Sequence, residues 1–241
     1  MLIDICVPAH NEEKIIKNNI LKLYHFLQCQ NFDFEWKIII IFNGSRDKSL
    51  SIAQDLSRQY TEIKVYNITE PIRGKSAALR TYFFDSKADI ITFMDLDLAV
   101  SLENFQDLIF PVINNQADLT IGSRLTKGAK IKRSLFRTII SWGYIYMSRF
   151  IFGHPFSDLQ CGFKAFKKIV WDEMGQYTIN SLSFLDTELI ILAYKFNFRI
   201  TKIPVDWRDN RFEKRLTRIN LKKAIIEFIK QSVALKKDYI I

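Results

Sequence analysis

The chain has 241 residues, 48% of them hydrophobic, which suits one sizeable α/β domain, and the lack of a long polar or low-complexity tract excludes disorder. Lys and Arg outnumber Asp and Glu by 35 to 26, and the net charge of +9 calls for an anionic partner: phospholipid headgroups, a phosphorylated substrate or nucleic acid. Three scattered cysteines (Cys6, Cys29, Cys161) fit neither a disulfide framework nor a zinc site, and no basic n-region precedes "LIDICVP", so a cytoplasmic protein without a signal peptide is expected.

In chain order, "LIDICVP" reads as a strand. "NEEKIIKNNILKLYHFL" follows, with Ile15, Ile16, Ile20, Leu23 and Leu27 at helical spacing. "WKIIIIF" is a buried strand, and "DKSLSIAQDLSRQY" a helix with Asp47 near its cap. "IKVYNI" is a strand, "KSAALRTYFFDS" a helix, "DIITFM" a strand, "SLENFQDLIFPVI" a helix capped by Ser101, and "DLTIGS" a strand. Alternating β and α elements with wholly apolar strands predict a mostly parallel sheet covered on both faces. Such sheets bind ligands at the carboxyl ends of their strands. The second half is less regular. A basic loop, "RLTKGAKIKRSLFR", leads into the aromatic segment "SLFRTIISWGYIYMSRFIF". "DLQCGFKAF", a helix around "FLDTELIILAYKF", a strand "RITKIPVDW" and a basic amphipathic helix from about Asn220 complete the chain. Without a linker or repeat, the expected organisation is a catalytic domain over 1–210 with a basic extension over 211–241. No apolar run reaches the roughly 20 residues of a membrane-spanning helix.

Functional residues gather at the predicted strand ends. Asp95 and Asp97 close "DIITFMDLDLAV". Two carboxylates with no basic neighbour in sequence make either a solvated strand-end turn or a site for hard Mg²⁺ or Mn²⁺, which takes oxygen ligands and shares its shell with substrate phosphates. Leu96 and Leu98 are expected to point into the core, leaving the aspartates on the open side. "CVPAHNEE" and "FNGSRDKS" are the other strand-end turns; each serves as an ordinary turn or helix start, or holds a ribose or base. Gly74-Lys75-Ser76 lacks the earlier glycine of a P-loop, position 69 being Thr, yet makes an anion-friendly helix start. The aromatic segment, interrupted by Arg137 and Arg149, is either a core helix or one lying in a membrane interface. The C-terminal helix is either packed or a second membrane contact.

In order and spacing, "VPAHNEE", "FNGSRDKS", "RGKSAALR", "DLDLA", "IGSR" and "DLQCGFKAF" together resemble glycosyltransferase family 2, with its GT-A fold, over roughly residues 3 to 210. "DLDLAVSLENF", "SDLQCGFKAF", "FLDTELI" and "PVDW" look most like the polyprenyl-phosphate glycosyltransferases, closer to dolichyl-phosphate glucosyltransferases than to dolichyl-phosphate mannose synthases. The resemblance implies that Pro8, Ala9, Asn11 and Glu12 hold the nucleotide. It implies that Asn43 contacts the base, that Asp95 meets the nucleotide, and that Asp97 binds the metal with it. Phe42 and Asn43 stand where the family often has two aspartates. Ala99, where mannose synthases often have Gln, favours a UDP-hexose. Arg124, Arg137 and Ser141 match the residues that bind the lipid phosphate. Lys75 would help stabilise the leaving UDP. The implied reaction is inverting, metal-dependent transfer of a hexose, glucose by this branch, to a polyprenyl phosphate on the cytoplasmic face of the membrane. An ionised acceptor phosphate needs no strong base. A saccharide or protein-glycan acceptor would, and Asp158 is then the candidate; otherwise Asp158, Asp186 and Glu188 are expected to orient the sugar hydroxyls or the metal shell. Nucleic acid is not expected as a partner, because paired acidic strand ends oppose it.

Overall fold

The computed structural model describes residues 1–68, 74–132, 135–178, 184–208 and 221–239. Its strands are β1 (Leu2–Ala9), β2 (Glu35–Phe42), β3 (Ile63–Asn67), β4 (Ile90–Met94), β5 (Leu119–Ser123), β6 (Lys130–Lys132), β7 (Phe163–Lys167), β8 (Ile200–Pro204) and β9 (Asp206–Arg208). Its helices are α1 (Ile16–Cys29), α2 (Ser49–Gln59), α3 (Lys75–Asp85), α4 (Phe105–Ile113), α5 (Leu135–Phe152), α6 (Lys168–Met174), α7 (Leu185–Lys195) and α8 (Leu221–Tyr239). Seven strands form one sheet in the order β3-β2-β1-β4-β7-β5-β8, and β6 pairs with β9 apart from it. The large sheet is parallel except for β7, which runs antiparallel to both β4 and β5.

The run of four isoleucines in β2 shows why a mostly parallel sheet forms. Ile38 and Ile40 join one apolar core, while Ile39 and Ile41 join another on the opposite face. Successive side chains point to opposite faces of a strand, so a strand apolar at every position needs a cover on both. The first core includes Ile16, Ile20, Leu23 and Leu27 of α1 and Phe105, Leu108, Ile109 and Val112 of α4. The second takes residues from α3, α6 and α7, with Trp171 buried among Phe83 and Phe166.

Two helix starts differ from the sequence expectation. The residues from Asn11 to Ile15 precede α1 instead of opening it, because Asn11 sits in the left-handed region (φ 55°) and its neighbours are tied to the next loop. Ser101 does not cap α4: a 3-10 turn (Leu102–Asn104) precedes that helix, and the Ser101 hydroxyl donates to Glu103. Asp47 does act at the start of α2, accepting from the Ser49 backbone N–H at 3.0 Å and from the Glu13 N–H at 3.1 Å, so one carboxylate joins two loops.

The two amphipathic segments of the second half both resolve into packed helices with an outward apolar stripe. On α5, Ile145, Ser148 and Phe152 are buried, while Trp142, Tyr146 and Phe150 are exposed one turn apart. On α8, Phe228, Ser232 and Leu235 are buried, and Ile226, Ile229 and Val233 are exposed. The Phe228 ring lies 4.3 Å from Tyr144 of α5 and 5.8 Å from Phe184, centroid to centroid. Phe228→Ala is expected to cost about 3–5 kcal/mol of stability by emptying that contact. Denaturant unfolding reads this, and an unchanged midpoint would mean that α8 adds nothing to the body. Among the described residues no helix is long and apolar enough to cross a membrane.

Candidate active site

The carboxyl ends of β1, β2, β4 and β5 meet at one edge of the sheet, around a cleft of about 710 Å³. β7 contributes from the other direction. Because it runs antiparallel, with Met94 opposite Phe163, the residues leading into β7 reach the place where β4 ends. Asp95 therefore faces Gly162. A Cβ on Gly162 would stand 2.5 Å from Asp95 Oδ2 and 3.0 Å from Lys75 Nζ, so any larger residue there must displace this pair.

Asp95 and Asp97 do not continue the strand. Asp95 to Leu98 form a turn closed by the Leu98 N–H donating to the Asp95 carbonyl at 3.1 Å. Leu96 is buried as expected, but Leu98 is only partly so and takes φ 48°, a conformation that costs a branched residue about 1 kcal/mol or more. The Asn19 amide donates to the Leu96 carbonyl at 2.9 Å and ties the turn to α1. Asp95 and Asp97 both line the cleft. Asp95 Oδ1 accepts from Lys75 Nζ at 2.5 Å, at the start of α3. Burial works against the Lys75 charge, but Asp95, with Asp186 and Asp97 behind it, outweighs burial and raises the lysine's pKa. Burial likewise opposes ionisation of Asp95, and Lys75, then Lys164 and Arg124, more than offset it, so its pKa lies below the usual carboxylate value. Both groups are charged at neutral pH.

Behind this pair lies a second one. Lys164 of β7 is fully buried and donates to the Cys161 carbonyl and to Asp186 at 2.5 Å each. The Lys75 and Lys164 ammonium groups lie 5.8 and 5.3 Å from the Phe93 ring centroid. At the end of β5, Arg124 meets Asp158 in a bidentate pair, Nε to Oδ2 at 2.8 Å and Nη2 to Oδ1 at 2.9 Å. Asp158 also accepts the backbone N–H groups of Arg124 and Gln160. Burial would raise the Asp158 pKa, but Arg124 and these N–H groups outweigh it and hold it down. A carboxylate with four donors and a lowered pKa suits a rigid anchor for Arg124 better than a general base. Burial pushes the Cys161 thiol up to about 12, so it is not a nucleophile at neutral pH.

On the β1 and β2 side, Pro8, Ala9, Glu12 and Asn43 line the same cleft. Asn43 Nδ2 donates to the Gly74 carbonyl at 2.9 Å, and the Asn43 carbonyl lies 3.1 Å from His10 Nδ1. Asn11 accepts from the Arg46 N–H and its own N–H donates to Ser45, so it shapes the turn without lining the cleft.

The family model described as "Glycosyl transferase family 2" matches residues 4–175. The chain belongs to glycosyl transferase family 2. Among curated proteins, it is 29% identical to human dolichyl-phosphate beta-glucosyltransferase over 222 residues, covering 86% of this chain and 67% of that protein. It is 27% identical to glycosyltransferase AglD of Haloferax volcanii over 209 residues, covering 85% of this chain. The chain spans about a third of AglD's length. Among solved structures, glucosyl-3-phosphoglycerate synthase from Mycobacterium tuberculosis in complex with UDP superposes with a TM-score of 0.69 at 16% identity, covering 96% of this chain and 80% of that one. The same enzyme with Mn²⁺, UDP and glucosyl-3-phosphoglycerate also gives 0.69. These likenesses show the GT-A fold.

Within this family 2 cleft, the fold gathers most of the residues singled out in the sequence. Pro8, Ala9, Glu12, Asn43, Lys75, Asp95, Asp97 and Arg124 line one cavity. Asp158 stands behind Arg124, and Ser141 lies on α5, outside the cleft lining. The side chain of Arg137 lies outside the described residues. Sequence reasoning missed the role of Gly162, the Lys164–Asp186 pair and the placement of Trp207. "DLQCGFKAF" carried Gly162 and Lys164 in plain view, but only the antiparallel entry of β7 sets Gly162 against Asp95 and Lys164 beside Asp186.

Proposed function

We propose that the chain transfers glucose from UDP-glucose to a polyprenyl phosphate with inversion, as a peripheral enzyme on the cytoplasmic face of the membrane. One observation carries the reading: a single cleft joins the Asp95–Lys75 pair and Asp97 to the anchored guanidinium of Arg124. That is a place for two phosphate-bearing substrates. Relatives named dolichyl-phosphate beta-glucosyltransferase support the donor sugar and the acceptor, and structural neighbours holding UDP support the nucleotide. Residues 1–210 would be the catalytic domain and 211–241 its basic extension.

Asp95 and Asp97 offer only hard oxygen donors at the mouth of the cleft, which fits Mg²⁺ or Mn²⁺ and no softer metal. Bound there, the cation would neutralise charge on the donor diphosphate. Lys75, held cationic by Asp95, adds positive charge where the UDP leaving group develops its own negative charge. Pro8, Ala9, Glu12 and Asn43 would form the nucleoside side, with Asn11 shaping the turn beside them. Arg124 would orient the acceptor phosphate, and the family resemblance adds Arg137 and Ser141 to that task, with Ser141 outside the lining of the cleft itself. A phosphate monoester with a second pKa of about 6 is already ionised at neutral pH, so it attacks the anomeric carbon without a protein base. This leaves Asp158 to its pairing with Arg124.

The exposed rings of Trp142, Tyr146 and Phe150 on α5, with Lys127 and Lys130 exposed ahead of them, suit the interface of an anionic bilayer. Phe150 is 92% exposed. Phe150→Glu is expected to weaken binding to phosphatidylglycerol vesicles at least about 10-fold, the loss from withdrawing one phenylalanine from an apolar phase. Equal co-sedimentation of both proteins would rule this face out. The function itself is tested by incubating the protein with Mn²⁺, labelled UDP- or GDP-sugars and a short polyprenyl phosphate. Label from UDP-glucose in the organic phase is expected. UDP binding without extractable label would move the acceptor to a saccharide or protein glycan.

A further inference from the structure

Trp207 lies on β9, outside the main sheet, yet it is only 7% exposed and lines the cleft beside Arg124. The Arg124 guanidinium carbon sits 5.8 Å from its ring centroid. Asp158 holds the Nε and Nη2 edge of the same guanidinium, and among the described residues Nη1 has no hydrogen-bond partner. Arg124 is thus fixed along one edge by a carboxylate and over one face by an indole, with a donor edge left for a ligand. The backbone holding Trp207 is fixed from two sides. Ile131 pairs with it in the β6–β9 ladder, just ahead of α5. Val100 bridges to it, and the Arg208 N–H donates to the Ala99 carbonyl at 2.8 Å, in the segment directly after Asp97.

We infer that Trp207 is the positioning residue for the acceptor phosphate: its ring face holds the Arg124 guanidinium so that the open edge meets the oxyanion. The inference deepens the lipid-phosphate reading of the cleft and rests on it for the identity of the acceptor. An indole face attracts a cation and, unlike a second carboxylate, leaves the guanidinium's remaining N–H groups unoccupied. β9 bonds both to the segment after Asp97 and to the strand before α5, so its backbone, not the indole, ties the donor and acceptor halves of the cleft together.

The test uses the full chain with UDP and Mg²⁺ present to fill the diphosphate site, and titrates inorganic phosphate calorimetrically into wild type, Trp207→Phe and Trp207→Leu. Phenylalanine keeps a ring face; leucine fills space without one. Trp207→Leu is expected to bind phosphate about 10-fold more weakly and Trp207→Phe within about 3-fold of wild type, the range of a partly desolvated cation–π contact. In the transfer assay, Trp207→Leu should raise KM for polyprenyl phosphate while leaving KM for UDP-glucose unchanged. If the leucine variant does not fold, Trp207→Met takes its place. Equal phosphate affinity in leucine and wild-type chains, no phosphate binding by wild type, or a rise in KM for UDP-glucose alone would each overturn the assignment. Phosphate binding that depends on Trp207, with no transfer to lipid, would remove the polyprenyl acceptor and leave the role of Trp207 standing.

Discussion

Asp97→Ala is expected to lower transfer about 1,000-fold in kcat, the scale of losing an electrostatic stabiliser of the developing charge. Asp97 sits in the turn after β4, lines the cleft, and contributes to keeping Lys75 charged. Removing it takes away a hard oxygen donor and leaves Asp95, whose Oδ1 is engaged by Lys75, as the remaining carboxylate of the pair. Its side chain is partly exposed, so the fold should persist, with a thermal midpoint within a few degrees of wild type. Mn²⁺-dependent UDP binding should fall together with kcat. A fully active variant would sink the metal role of this turn.

Gly162→Ala should cost about 100-fold in kcat, because a shift on the order of 1 Å in a reacting constellation has that effect. The added Cβ would lie 2.5 Å from Asp95 Oδ2, closer than such atoms approach, and a tight 3.0 Å from Lys75 Nζ. Lysine is flexible and can retreat, but Asp95 is short and held in the turn closed by Leu98, so relief must come by breaking the Asp95–Lys75 pair or by moving the start of β7. Gly162 does not need the left-handed region, so the cost falls on the site and not on backbone strain. A large drop in activity with little change in unfolding is therefore expected. Activity within 3-fold of wild type would mean that the pair moves aside freely and does not need its observed geometry.

The two amphipathic helices of the second half show where sequence patterning stops. The aromatic run of α5 and the basic run of α8 each allowed a packed helix or one in contact with a membrane. Each helix packs by one face and leaves an apolar stripe on the other. Tyr144 meets Phe228 on the inner faces, and Trp142, Tyr146, Phe150, Ile226, Ile229 and Val233 remain outside. Composition along a helix cannot say how many neighbours cover it.

What the sequence determined by itself was the local order: apolar strands in alternation with helices, and Asp95, Asp97, Asn43 and the Pro8–Glu12 segment at strand ends. Those features follow from side-chain periodicity and from where a strand must stop, both properties of short stretches. Only the tertiary structure decided that β7 enters antiparallel between β4 and β5. That one reversal sets Gly162 against Asp95, and the segment leading into β7 brings Asp158 to Arg124, residues 34 apart in the chain. It also buries Lys164 beside Asp186. Pairing between strands distant in sequence depends on register and on long-range burial, which no local pattern records. The same holds for Trp207, an ordinary apolar strand residue in the sequence, which becomes part of the cleft wall only when β9 pairs with β6 and with Val100.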